Sequence, residues 1–127
     1  MIFVDTGAWF ASLIPTDPDH ASATAWLAEN SSPLLTTDYV IDETLTRGER
    51  RRALLLGARF FRDGLAEIHK ITEPDLELAW ETFERFADKD WSFTDCTSKV
   101  VMEQLGITEA FAFDHHFKQF GTVQIVP

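Results

Sequence analysis

Cysteine is nearly absent from this 127-residue chain, in which Cys96 stands alone. With no partner for an internal disulfide, it excludes a disulfide-stapled fold and agrees with a reducing compartment. Long apolar runs are missing too: no stretch approaches the roughly 20 consecutive apolar residues that a membrane-crossing helix needs. The opening residues, MIFVDTGAWF, carry no basic leader and no cleavage site of a signal peptide, so a cytoplasmic location is expected. Basic residues are scarce, with 11 Lys and Arg against 21 Asp and Glu and a net charge of -10. That balance argues against nucleic acid, because affinity for phosphate comes from Lys and Arg. The distribution changes the reading, since six of the eleven fall in one segment as Arg47, Arg50, Arg51, Arg52, Arg59 and Arg62. A basic patch on an acidic body suits RNA or an acidic partner surface, and the plain alternative is a solvated helix face. Repeats and low-complexity linkers are also missing, and the longest turn-like stretch, IPTDPDH, is too short to separate domains.

What is present is a core. The hydrophobic fraction is 45%, with 11 Phe, 4 Trp and 1 Tyr, enough for one compact domain spanning 1–127. Short apolar runs at 2–4, 33–37, 109–113 and 121–126 predict buried strands, and 66–72 predicts an edge strand. Helical patterns occupy 19–29, 37–47, 50–63, 74–87 and 95–105. In the fourth, Leu76, Ala79, Trp80, Phe83 and Ala87 recur at threes and fours and predict one apolar stripe. Trp9, Phe10, Trp26 and Phe86 are likewise expected in the core rather than as base-stacking platforms. Strands alternating with helices imply an α/β fold with a mostly parallel sheet covered on both faces. Ligands of such sheets bind at the carboxyl ends of the strands.

Four acids are candidates for that edge. Asp5 follows IFV and precedes TGAWF, where a strand gives way to a helix; it reads either as a metal ligand or as an N-cap. Asp114 has the same setting, after AFAF and before HHFKQF. If their strands are parallel neighbours, the two carboxylates converge, which is costly unless a cation binds between them. Asp95 opens an amphipathic helix, and Ser92-x-x-Asp95 also matches a capping box, so a structural role competes. Glu43 shares a helix face with Tyr39 and Val40, so it is nearly buried, whereas Asp42 projects elsewhere, beside Asp38.

The spaced set VDT at 4–6, DET at 42–44, SFTDC at 92–96 and FDHHF at 113–117 resembles the PIN-domain nucleases, especially VapC toxins of toxin-antitoxin pairs. The resemblance covers nearly the whole chain. It implies a three-layer α/β/α fold around a five-stranded parallel sheet, and an acidic pocket of Asp5, Glu43, Asp95 and Asp114 holding one or two Mg2+ or Mn2+ ions. Within that pocket Asp5 and Asp114 are expected as principal ligands, Asp95 as ligand or water-orienting group, and Glu43 as ligand or general base. Thr6 is a possible auxiliary, and Ser92 and Thr94 are placed to orient Asp95 or a water. The resemblance further implies an RNA substrate, a cognate antitoxin and a homodimer. Products with 5'-phosphate and 3'-hydroxyl ends are expected, with water rather than the ribose 2'-hydroxyl as nucleophile.

The remaining candidates read as structural. His115 and His116 are sequential, so on a helix they point about 100 degrees apart and do not easily face one ion. Surface or helix-start roles suit them better. His20 and His69 give no ligand spacing, and Cys96 reads as a packed thiol. Trp91, in the polar DKDWSF, either stacks on RNA or closes the entrance of the following helix. Other function classes remain compatible with the acids: a free-standing PIN nuclease in RNA processing, a non-catalytic RNA- or protein-binding module, a phosphatase, or a nuclease acting on DNA.

Overall fold

The computed structural model describes residues 1–127. Five short strands form its sheet: β1 (Ile2–Val4), β2 (Leu34–Thr37), β3 (Glu67–His69), β4 (Glu109–Phe111) and β5 (Gln124–Val126). They lie in the order β3-β2-β1-β4-β5, and every neighbouring pair is parallel. β1 is the central strand and is buried along its whole length, as its unbroken apolar run requires. The expected edge strand is found at the β3 edge.

Six α-helices connect the strands: α1 (Thr6–Leu13), α2 (His20–Glu29), α3 (Asp38–Arg47), α4 (Arg50–Phe61), α5 (Glu73–Arg85) and α6 (Phe93–Leu105). A six-residue 3-10 helix, His115–Phe120, links β4 to β5. Side chains divide the layers. Val4, Thr36 and Phe111 share one face through the register Val4↔Phe111 and Phe3↔Leu35, and there Trp9 of α1 donates to Thr36 Oγ1 at 3.3 Å. Trp26 of α2 stacks on Phe111 at 4.3 Å, and Phe60 of α4 meets Trp9 edge-on at 4.9 Å. Phe3 faces the other way and meets Phe117 of the 3-10 helix at 6.0 Å. Right-handed crossovers account for this division: β1 to β2 to β3 carries α1–α4 to one face, and the return from β3 to β4 carries α5 and α6 to the other. The α/β/α layering and five-stranded parallel sheet are therefore as expected. No helix is long and apolar enough to cross a membrane.

Two expectations need correction. The strand at 109–113 is regular only over Glu109–Phe111, because β1 ends at Val4 and offers residues 112 and 113 no further partner on that side. The stripe on α5 does not lie in one buried seam: Ala79 is buried, but Trp80 and Phe83 are 54% and 39% exposed. Trp80 follows Ala79 by one residue, about 100 degrees around the helix, which turns it out of the seam with α6. Trp9 is buried and Phe10, Trp26 and Phe86 pack against the core, as their spacing predicts.

Candidate active site: carboxylates at the strand ends

Because all five strands are parallel, their carboxyl ends lie along one edge, and α1, α3 and α6 all begin there. Asp5 is the first residue after β1, and its backbone N–H donates to Phe111 O at 3.2 Å, which ties it to the end of β4. It occupies the N-cap position of α1, yet its carboxylate makes no capping hydrogen bond. The side chain is 4% exposed, and Oδ1 has no hydrogen-bond partner. The simple capping role is thereby set aside: a buried carboxylate oxygen without a donor is unstable unless something else binds it.

Its electrostatics carry the same message. Burial pushes the Asp5 carboxyl up to about 7 from an ordinary 3.8, the Thr6 backbone N–H lowers it only in part, and the charges of Asp95, Glu43 and Asp114 push it further up. The other three acids picked out in the sequence therefore lie close enough for their charges to act on Asp5. Glu43 is half-buried in the second turn of α3, while the neighbouring Asp42 is exposed. Asp38 is spent elsewhere, its Oδ1 accepting from the backbone N–H groups of Tyr39 at 3.1 Å and Ile71 at 2.9 Å.

Asp95 is held by both halves of a capping box: its N–H donates to Ser92 Oγ, and Ser92 N–H donates to Asp95 Oδ2, each at 3.0 Å. The capping role leaves Asp95 Oδ1 without a protein hydrogen bond. Asp114 caps the 3-10 helix, its Oδ1 accepting from His116 N–H at 2.9 Å. Of the auxiliary residues, Ser92 acts on Asp95 through that box. Thr6 is used structurally: it is buried, with Oγ1 3.5 Å from Val40 O and accepting from Thr44 Oγ1 at 3.2 Å, a contact that fastens α3 to α1. Thr94 is half-buried in the first turn of α6 and makes no side-chain hydrogen bond to the acids.

Sequence reasoning missed one residue of the site. His116 Nδ1 lies 3.0 Å from Asp95 Oδ2 and 3.2 Å from Asp114 Oδ1, with its side chain only 15% exposed. A carboxylate can only accept, so Nδ1 carries the proton. The adjacent histidines approach each other more closely than helical spacing predicts: one ligand atom each from Asp90, His115 and His116 lie within 4.8 Å of one another. The 3-10 turn brings the two imidazole centroids to 4.4 Å. Asp90 and His115 are exposed, and of this trio only His116 is held in place. Trp91 is buried, its indole N–H donating to Gln119 Oε1 at 2.8 Å and its ring meeting Phe86 and Phe120, so it closes the entrance to α6. Burial pushes the Cys96 thiol up to about 11, with Asp95 adding to the shift, which removes it as a nucleophile at neutral pH.

Four carboxylates, one with a buried unpartnered oxygen, are a hard oxygen donor set, and they fit a divalent cation of the Mg2+ or Mn2+ type. Fold and site together define an α/β domain with carboxylates gathered around Asp5 at the carboxyl edge of a parallel sheet. The chain belongs to the PIN-domain family, whose model matches residues 2–123. It is 35% identical, over 100% of its length and 99% of the relative's, to the 23S rRNA-specific endonuclease VapC20 of Mycobacterium tuberculosis. Its fold superposes on the crystal structure of that protein, described as a Sarcin-Ricin loop cleaving toxin, with a TM-score of 0.91, 32% identity and full coverage of both chains. FitAcB from Neisseria gonorrhoeae matches in fold at a TM-score of 0.73 with 15% identity, covering 100% of this chain and 97% of the other.

Proposed function

We propose that this chain, acting as a single PIN domain over 1–127, is a divalent-metal-dependent endoribonuclease of the VapC toxin type that hydrolyses phosphodiester bonds in RNA. The observation that carries the reading is Asp5 Oδ1, buried and unpartnered among three further carboxylates. The substrate class is supported by the 35% full-length identity to an endonuclease specific for 23S rRNA. The exposed arginines of α4, namely Arg50, Arg51, Arg52 and Arg59, with Arg62 just past its end, supply the basic surface that RNA needs on an otherwise acidic molecule.

Asp5 and Asp114 would hold Mg2+ or Mn2+ from neighbouring strand ends, with Asp95 completing the set or orienting the attacking water. Once bound, such an ion supplies Lewis-acid chemistry at water and at the leaving oxygen. Glu43, half-buried at the pocket, serves as a further ligand or as the general base that takes the water's proton. Ser92 fixes Asp95 through the capping box, so the carboxylate does not need to reorganise when substrate arrives. Water attack leaves 5'-phosphate and 3'-hydroxyl ends. A cognate antitoxin and a homodimer complete the reading, together with a cytoplasmic location. The two protein contacts are supported by exposed apolar side chains, Leu54, Leu55 and Phe61 on α4 and Trp80 on α5.

The test is cleavage of end-labelled 23S rRNA fragments by purified protein in Mg2+, Mn2+ or EDTA. Cuts that need metal, carry 5'-phosphate ends and vanish in Asp5→Asn and Asp114→Asn are expected. Cuts that persist in EDTA, or that leave 2',3'-cyclic phosphates, would remove the proposed mechanism.

A further inference from the structure

The 3-10 helix grips the entrance of α6 at two points. In such a helix side chains at i and i+3 lie above one another. His116 and Gln119 are related in this way, and both reach the segment that carries Asp95. Gln119 Oε1 accepts from the buried Trp91 indole at 2.8 Å, and His116 Nδ1–H donates to Asp95 Oδ2 at 3.0 Å. The same Nδ1 lies 3.2 Å from Asp114 Oδ1, and the His116 backbone N–H donates to that oxygen at 2.9 Å. One residue therefore touches two of the four acids, which come from different elements and are 19 residues apart in sequence (114 − 95).

Those two acids repel each other, and His116 opposes the tendency to splay by holding Asp95 through Nδ1–H and Asp114 through its backbone N–H. Two donors, Ser92 N–H and His116 Nδ1–H, converge on Asp95 Oδ2 and leave Oδ1 without a protein partner. Neither role of His116 requires it to touch a substrate. We infer that His116 is a positioning residue, whose Nδ1–H holds the Asp95 carboxylate, while its backbone N–H holds that of Asp114, in the arrangement that receives the divalent cation. This deepens the proposed function and rests on it. Groups that orient metal ligands in this manner typically change metal affinity about 10- to 100-fold when removed.

The test reads metal binding directly, apart from RNA cleavage, by calorimetric titration of the full chain with MnCl2 and by thermal melts in EDTA. His116→Asn places an amide N–H near the position of Nδ1, whereas His116→Gln places it near that of Nε2. The Asn variant is expected to keep most of the wild-type affinity, and the Gln variant to lose about 10- to 100-fold. Gln119→Ala breaks the companion hydrogen bond to Trp91, and is expected to lower the melting temperature while leaving Mn2+ affinity unchanged. Equal affinity in wild type and the Gln variant, or equal losses in Asn and Gln, would overturn the inference while the proposed function stood. A wild-type protein that binds no Mn2+ would overturn the proposed function and the inference with it.

Discussion

A carboxylate held near pH 7 by burial and like charge makes stability depend on pH in a direction opposite to that of ordinary paired acids. Asp5 has a folded pKa of about 7 against 3.8 in the unfolded chain, so the folded state binds the proton more tightly. Its contribution is fully present below the unfolded value and is lost as pH rises through about 7, a loss on the order of 4 kcal/mol across that window. In EDTA, urea unfolding from pH 4 to 8 is expected to show Asp5→Asn gaining stability relative to wild type as pH rises. A constant difference across that range would contradict the assigned environment. At this scale Asp5, Asp95 and Asp114 stood out because each sits where a strand or a polar turn enters a helix, and Glu43 because it shares a helix face with Tyr39 and Val40. The tie between His116 and Asp95 was not, because it spans 21 residues and depends on a 3-10 geometry that the doublet HH does not announce.

Helix ends show the same double use of side chains. Thr72 and Asp75 form a capping box on α5: Thr72 Oγ1 accepts from Asp75 N–H, and Asp75 Oδ2 accepts from Thr72 N–H. His69, on the edge strand β3, approaches the same Oδ2 at 3.1 Å. Burial alone would raise the Asp75 carboxyl, but hydrogen bonds from Thr72 and His69 outweigh it and hold the group below 3.8. With a depressed folded pKa, its stabilisation is present above the unfolded value and is lost as pH falls through the folded one. Thr72→Ala is expected to cost about 1 kcal/mol at pH 7, measured by urea unfolding. No loss would show that the box does not hold α5 in place. The main helices and all five strands were legible from period and from apolar runs, with ends shifting by a few residues. Trp80 was not, since periodicity identifies an apolar side of a helix but not how far round the neighbouring helix covers it.

Across the whole molecule the charge is divided, with acids at the strand ends and over most of the surface, and arginines on α4. Replacing Arg50, Arg51 and Arg52 together by Ala is expected to weaken RNA binding across sequences. It should also flatten the salt dependence, by about 0.7 in logarithmic slope for each phosphate that the variant no longer neutralises. Filter binding at several salt concentrations reads both, and an unchanged slope would reassign this surface to a protein partner. Composition alone pointed away from nucleic acid; only the clustering along the chain, and its exposure on one helix, reverses that reading. The layered architecture was legible from strand-helix alternation and from the PIN resemblance, while the packing of Trp91 and Gln119 depended on tertiary structure.

On the proposed function, the buried Asp5 carboxylate seats a divalent cation. The most direct measurement is anomalous diffraction at the manganese edge from crystals of the full chain soaked in MnCl2. The expected result is a peak bonded to Asp5, at roughly 2.0–2.3 Å from a carboxylate oxygen, with Asp114 or Asp95 beside it. An empty pocket, or a peak confined to the exposed cluster of Asp90, His115 and His116, would contradict it.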